Sequence, residues 1–192
     1  MGIEYELKYA ATLDTQKKLR THLGGVWQEY RMHTTYYDTP DGSLSARKWM
    51  LRHRLENDTH VCTVKTPAGD ARGEWETCEE HIEAAIEKLC KLGAPEALRT
   101  LTCEGLVAVC GARFTRLATT VIMPEGTVEV ALDAGVLYAG IREEPLCEVE
   151  VELKDGSAAA ADRLAEELSV GFGLSLLKKS KFKRALALRE TT

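Results

Sequence analysis

Residues 147–153 alternate strictly between glutamate and apolar residues, and this alternation limits the fold of the chain more than any other feature. In a β-strand, successive side chains point to opposite faces of the sheet. One face of this predicted strand therefore carries three carboxylates, from Glu148, Glu150 and Glu152. Residues 3–8 alternate in the same way. One face of that predicted strand carries Glu4, Glu6 and Lys8.

Most other predicted strands also have one charged face and one apolar face. Glu74 and Glu76 share a face, and so do Glu129 and Asp133. The basic side chains at strand positions are Lys8, Arg52, Arg54, Lys65, Arg113 and Arg116, followed by a basic run at 178–184. For any single strand, exposure to solvent is the simplest explanation of a charged face. Like charges on one face repel each other, however, and such clusters persist where a ligand of opposite charge neutralises them.

The two kinds of cluster match two kinds of ligand. Carboxylates are ligands that Mg²⁺ and Mn²⁺ prefer, because these hard ions bind oxygen. Arginine and lysine bind phosphate, and the guanidinium forms bidentate hydrogen bonds with it. A metal ion together with a polyphosphate uses both clusters at once. Because unpaired charges in a dry interior cost several kcal/mol each, the charged faces predict a hydrated bore.

The hydrophobic pattern predicts an α+β fold in one domain, 1–192, without a linker or a repeat. The predicted helices cover 12–23, 81–92, 158–168 and part of the basic end, 176–188. The predicted strands cover 2–9, 26–37, 50–55, 61–65, 72–78, 113–123, 127–132, 135–141 and 146–154, with a short turn between 132 and 135. Consecutive hairpins indicate an antiparallel sheet that closes into a barrel. We expect its interior to be charged and its apolar outside to be wrapped by amphipathic helices.

Composition and charge narrow the class of protein. Hydrophobic residues make up 44% of the 192 positions and charged residues 29%, which is typical of a protein with a buried core. No apolar run reaches the length of a membrane span, and the acidic start does not resemble a secretory leader. The net charge of −5 argues against nucleic acid as a partner. The six cysteines lack zinc-ligand spacing and predict reduced thiols in a cytoplasmic protein, while the oligomeric state stays open.

Seven short motifs follow one another along the chain. They are E-x-E-x-K at 4–8, YYDTP at 36–40, LRHR at 51–54, TVK at 63–65, EWE at 74–76, ALDAG at 131–135 and EVEVEL at 148–153. In this order, and with a late Ser180-Lys181 pair, they resemble the CYTH or triphosphate tunnel metalloenzyme superfamily over nearly the whole chain. E-x-E-x-K alone is a weak signal, whereas the ordered set is specific. The resemblance implies an eight-stranded antiparallel β-tunnel and metal-dependent hydrolysis or cyclisation of triphosphate compounds.

The resemblance also implies roles for individual residues, motif by motif. The triphosphate would be held by Lys8, Arg52, Arg54, Lys65, Arg116 and Lys181. One or two ions of Mg²⁺ or Mn²⁺ would be held by Glu4, Glu6, Asp133, Glu148, Glu150 and Glu152. The candidate catalytic residues are Lys8, Lys65, Glu4 and Glu6. In one respect the chain departs from the family: a second basic residue often follows two positions after the Arg116 equivalent, where this chain has Ala118. Whether Arg113 replaces it stays open, since Arg113 lies on the opposite face if the strand is regular.

The expected function is hydrolysis of a small-molecule triphosphate. Inorganic tripolyphosphate is the leading substrate, because the YYDTP, ALDAG and acidic-strand motifs are similar to those of bacterial inorganic triphosphatases. Thiamine triphosphatase and class IV adenylyl cyclase stay open as alternatives, since the tunnel holds the same phosphates in each. A non-catalytic polyphosphate-binding module is a third alternative, although such a module does not require the carboxylate ladders. The number of metal ions and the identity of the general base are also left open.

Overall fold

One antiparallel sheet of nine strands forms the framework. The computed structural model describes residues 5–68 and 71–189. The strands are β1 (Glu6–Ala10), β2 (Gln28–Asp38), β3 (Met50–Glu56), β4 (Thr59–Ala68), β5 (Ala71–Cys78), β6 (Val107–Met123), β7 (Gly126–Ala139), β8 (Arg142–Gly156) and β9 (Ser175–Leu176). Their order across the sheet is β5-β4-β3-β2-β6-β7-β8-β1-β9. The α+β class and the antiparallel sheet are therefore as predicted.

Helices cover the apolar face of this sheet at two places. They are α1 (Leu13–Leu23), α2 (Ser43–Ala46), α3 (Ile82–Lys91), α4 (Ala97–Leu101), α5 (Ala158–Phe172) and α6 (Lys181–Ala187). One core forms where α1 and α5 pack on β1, β7 and β8, with Leu19 and Leu164 against Val130 and Val151. A second core forms where α3 and α4 cover β3 and β4. Among the described helices, none combines the length and the apolar content needed to cross a membrane.

The prediction of a closed eight-stranded barrel is not met by the strand pairing. Within the described residues, the sheet has nine strands and ends at β5 on one side and β9 on the other. The short strand β9 pairs with β1 at Tyr9 and Ala10. It therefore takes backbone hydrogen bonds at the edge where a closing strand would have to pair. The sheet is nevertheless strongly curled. Side chains from β1 and from β5, which are far apart in the strand order, line the same cavity.

The predicted turn between 132 and 135 is wrong. Residues 126–139 form the single strand β7, and the chain reverses only at Gly140 and Ile141. Gly135 lies opposite Phe114 of β6, and a Cβ atom on Gly135 would come within 2.1 Å of the Arg113 carbonyl oxygen. This glycine therefore allows two strands to approach closely, which a glycine in a strand often does, and it does not mark a turn.

Candidate active site

The charged face of the curled sheet encloses a cavity of about 470 Å³. The predicted site residues that line it are Glu6, Lys8, Arg52, Arg54, Lys65, Arg116, Glu150, Glu152 and Lys181. Asp133 and Glu148 are buried behind Arg116 and Lys181, with which they form ion pairs. Glu4 lies outside the described residues. The structure thus brings almost all of the predicted site residues to one place.

The basic wall of the cavity is built by β3 and β4. Arg52 of β3 and Lys65 of β4 both face acidic side chains of the edge strand β5. The Nζ atom of Lys65 lies 3.2 Å from a Glu74 carboxylate oxygen, and Arg52 Nη2 lies 3.8 Å from one of Glu76. These pairs are only partly buried on the β5 side, so solvent screens them.

Arg54 differs from these two residues because its charge is poorly compensated. Its Nε atom donates to the Thr34 hydroxyl at 2.9 Å, and its nearest carboxylate oxygen, of Glu56, is 3.4 Å away. Burial, together with the neighbouring Arg52, lowers the pKa of Arg54 to about 10. The side chain is therefore a buried cation that an anionic ligand would stabilise.

The acidic wall contains three buried carboxylates from two neighbouring strands. Asp133 of β7 pairs in register with Glu148 of β8, and Glu150 follows on the same face. Their exposed fractions are 0%, 1% and 8%. One oxygen from each lies within 4.8 Å of the others, which is the spacing of ligands around a single ion.

Three cations balance these carboxylates. Arg116 donates from Nε and Nη2 to both Asp133 oxygens at 2.8 Å. Lys181 Nζ lies 2.7 Å from Asp133 and 2.7 Å from Glu150, and it also contacts Glu148. Arg184 Nη1 donates to Glu148 at 2.8 Å, and its Nη2 donates to Glu144 at 3.0 Å. Arg184 was not predicted as a site residue, although it lies three positions after Lys181 and therefore on the same face of a helix.

These surroundings shift the pKa values of two glutamates in opposite directions. Burial raises the pKa of Glu148 above its ordinary value, in spite of the nearby Lys181 ammonium. Burial would also raise the pKa of Glu150, but Lys181 and Arg116 hold it well below its usual range. The negative charge of Glu150 is thus well stabilised by its neighbours. The negative charge of Glu148 is less well stabilised, and a further positive charge nearby would favour it.

One oxygen atom tests whether the three carboxylates fit a divalent cation. Glu148 Oε1 is buried, and its contact among the described residues is the Lys181 ammonium. A buried carboxylate oxygen needs a cation or a donor beside it, and here a side-chain cation fills that position. An oxygen-only donor set is also what Mg²⁺ and Mn²⁺ prefer. The residues Asp133, Glu148 and Glu150 therefore fit such an ion.

Two further predicted metal ligands, Glu6 and Glu152, are not part of this cluster. Glu6 of β1 and Glu152 of β8 are register partners that line the cavity. Glu6 pairs with Lys8 at 2.5 Å, and Glu152 pairs with Lys154 at 2.9 Å. Burial alone would lower the pKa of Lys8, but Glu6 and Glu150 raise it above its ordinary value. Lys8 therefore holds its proton in the ligand-free protein.

Gln16 of α1 supports the acidic cluster from behind, and sequence analysis did not identify it. Its Nε2 atom donates to the Asp133 carbonyl at 2.9 Å and to the Glu148 carbonyl at 3.0 Å. The side chain is buried, with 8% exposed. One amide therefore fixes the relative positions of β7 and β8 at the two residues that carry the deepest carboxylates. The signal in the sequence is a polar residue on the apolar side of an amphipathic helix, three positions before Leu19.

Arg113 does not substitute for the basic residue replaced by Ala118. Ala118 is buried on the cavity side of β6, with 5% exposed. Arg113 lies on the other face, where it pairs with Glu143 and stacks on Tyr138 with 4.8 Å between guanidinium carbon and ring centroid. Neither residue lines the cavity.

Comparison with known proteins adds the family. The model of the CYTH domain matches residues 2–186. The chain belongs to the CYTH family. An inorganic triphosphatase of Haemophilus influenzae is 29% identical in an alignment that covers 96% of this chain and 54% of that protein. The chain thus spans about half the length of this curated relative.

Three solved structures share the fold of this chain. A putative adenylate cyclase from Bacillus halodurans superposes with a TM-score of 0.64 at 22% identity, covering 95% of this chain and 96% of that one. A putative adenylyl cyclase from Hippeastrum, described as having a dominant triphosphatase activity, gives 0.65 at 18% identity, covering 97% and 95%. The PH1819 protein of Pyrococcus horikoshii gives 0.63 at 21% identity, covering 98% and 99%. At these identities the likeness shows the fold.

Proposed function

We propose that this chain catalyses the divalent-metal-dependent hydrolysis of triphosphate compounds, with inorganic tripolyphosphate as its substrate. The observation that carries the proposal is the pair of opposed walls in one cavity of about 470 Å³. Arginine and lysine on β3 and β4 face carboxylates on β7, β8 and β1. Each wall is suited to one part of a metal–triphosphate ligand. The name of the Haemophilus influenzae relative, inorganic triphosphatase, agrees with this ligand.

In this proposal the basic residues bind and orient the phosphate chain. Arg52 and Arg54 supply guanidinium groups for bidentate hydrogen bonds, and Lys65 adds a point charge beside them. Lys8 reaches the cavity from the opposite end of the sheet and holds its proton, so its role is to clamp phosphate.

Asp133, Glu148 and Glu150 would hold the divalent ion, with Arg184 and Gln16 keeping the carboxylates in place. Bound there, Mg²⁺ or Mn²⁺ would neutralise negative charge on the phosphate oxygens. Glu6 and Glu152 line the cavity outside this cluster and are the candidates for a second, weaker ion together with Glu4. A cytoplasmic location stays a prediction from the sequence.

A phosphate-release panel tests the proposal. The chain is incubated with tripolyphosphate, thiamine triphosphate and ATP, in Mg²⁺, Mn²⁺ or EDTA. We expect release of phosphate from tripolyphosphate with either ion and none in EDTA. Preference for thiamine triphosphate, or formation of cyclic AMP from ATP, would replace the proposed substrate. Tight tripolyphosphate binding without turnover in any metal would identify a binding module.

A further inference from the structure

The ammonium group of Lys181 lies where three carboxylates converge. Its Nζ atom is 2.7 Å from Asp133 and 2.7 Å from Glu150, and it touches Glu148 Oε1. The side chain is 7% exposed. It enters the cluster from the first residue of α6.

The other two cations also bind oxygens of these carboxylates. Arg116 binds both oxygens of Asp133 and Oε2 of Glu150, and Arg184 binds Glu148 through Oε2. Glu148 Oε1 is left for the centre of the cluster, where it contacts the Lys181 ammonium. A Mg²⁺ ion binds oxygen at about 2.1 Å. To contact all three carboxylates, such an ion would need the space at the centre of the cluster that the Lys181 ammonium occupies.

We propose that Lys181 is the counter-ion of the metal-free site: its ammonium occupies the position of the divalent cation and withdraws when the cation binds. The inference rests on the proposed function only in taking Asp133, Glu148 and Glu150 as the metal ligands. Lys181 lines the cavity, so the displaced ammonium moves towards the space that the triphosphate would occupy. Metal binding thereby adds a positive charge to the phosphate site, and the two ligands bind cooperatively.

Calorimetric titration with Mn²⁺ alone, on EDTA-treated and dialysed protein, tests the inference. We expect Lys181→Met to bind Mn²⁺ about tenfold more tightly than the unaltered chain, because no buried ion pair must be broken first. Two variants control for charge. Lys179→Met removes an exposed charge from the same segment, and we expect no change in affinity. Lys8→Met removes a charge from the same cavity that pairs with Glu6, and we expect a gain of less than about threefold.

Each result decides the question. Equal or weaker Mn²⁺ binding by Lys181→Met would show that Lys181 organises the carboxylates, and it would overturn the inference while leaving the proposed function intact. A gain as large in Lys8→Met would reduce the effect to general electrostatics and would also overturn it. Absence of Mn²⁺ binding in every variant would remove the metal site itself.

A second measurement covers loss of stability in the variant. Removing Lys181 leaves three buried carboxylates less compensated, so we expect a lower melting temperature without metal. A ligand that binds only the folded state raises the melting temperature. We expect Mn²⁺ to raise it more in Lys181→Met than in the unaltered chain, and an equal or smaller rise contradicts the inference.

Discussion

Arg54 is a buried charge that, in the proposed function, a phosphate group would compensate. Its partners are a hydroxyl at 2.9 Å and a carboxylate at 3.4 Å, so the guanidinium is buried without a full counter-charge. Burial of such a group destabilises the free protein and is offset when a phosphate binds. A substitution of Arg54 is therefore expected to change ligand affinity and the stability of the free protein in different ways.

Arg54→Met is expected to weaken tripolyphosphate binding by about 100-fold, because a charge-assisted bond in a dry site is lost. The stability of the ligand-free protein is expected to stay the same or to rise. Calorimetric titration and urea unfolding measure the two effects. Arg31→Met, on an exposed position of β2, is the control. A loss of stability without a loss of affinity would show that Arg54 is structural.

Glu150→Gln is expected to reduce metal-dependent turnover by about 100-fold or more, since Glu150 is the cluster carboxylate that lines the cavity. Circular dichroism is expected to show an intact fold, because Asp133 and Glu148 still pair with Lys181. Glu143→Gln, on the outer face, is the matched control. Ordinary activity in Glu150→Gln would rule out its assignment as a metal ligand.

At the scale of the elements, α1 acts as a support for two strands. Gln16 links the carbonyl groups of Asp133 and Glu148 through one amide. Gln16→Leu leaves both buried carbonyls without this donor and is expected to destabilise the protein by about 1–3 kcal/mol. Urea unfolding measures the change, with Lys17→Leu on the exposed side of α1 as the control. We also expect Gln16→Leu to bind Mn²⁺ more weakly. If neither the free energy of unfolding nor the Mn²⁺ affinity changes, Gln16 does not support the acidic cluster.

The β3–β4 hairpin carries a histidine pair that predicts a pH effect. The rings of His53 and His60 stack, with 5.1 Å between their centroids. Burial, and to a smaller extent the neighbouring His60, lowers the pKa of His53 below its ordinary value of 6.5. The folded protein therefore binds this proton less readily than the unfolded chain does. Stability is expected to fall as the pH drops below about 6.5.

His53→Gln is expected to reduce this loss of stability on going from pH 7.5 to pH 5.5. Urea unfolding at the two pH values measures it, and His22→Gln on the exposed part of α1 is the control. An unchanged pH dependence in His53→Gln would assign the effect to other groups.

At the scale of the whole molecule, the two ends of the sheet face each other across the cavity without pairing in the described residues. Glu74 and Glu76 of β5 and Lys8 of β1 line opposite parts of it. In the proposed function, phosphate oxygens would bind cations from β1, β3 and β4 together and so link the two sides of the cavity. β5 would be held with them, because it pairs with β4 along its whole length.

Tripolyphosphate with Mg²⁺ is therefore expected to slow amide hydrogen exchange in β1 and β5, detected by mass spectrometry. The helix α3, which packs on the outer face, provides an internal reference that is expected to change little. Exchange that slows equally throughout the chain would indicate global stabilisation by the ligand.

Much of the site was predictable because it follows from local periodicity. The alternation in β8 placed Glu148 and Glu150 on one face, and the structure has them there. Three features were not predictable in this way. The continuity of β7 through Gly135 depends on the close approach of Phe114. β9 pairs with Tyr9 and Ala10 at the edge of the sheet, and Arg184 reaches Glu148 because α6 docks in the cavity.

The sequence by itself determined which residues share a face and which ligands such faces match, because a strand alternates with period two whatever surrounds it. It also carried the motifs that place the chain in the CYTH family. Only the tertiary structure decided that Asp133, Glu148 and Glu150 meet around Lys181 while Glu6 and Glu152 stay apart. That arrangement depends on strand register and helix docking between residues far apart in the chain, such as Gln16 and Asp133, and local pattern carries no information about such contacts.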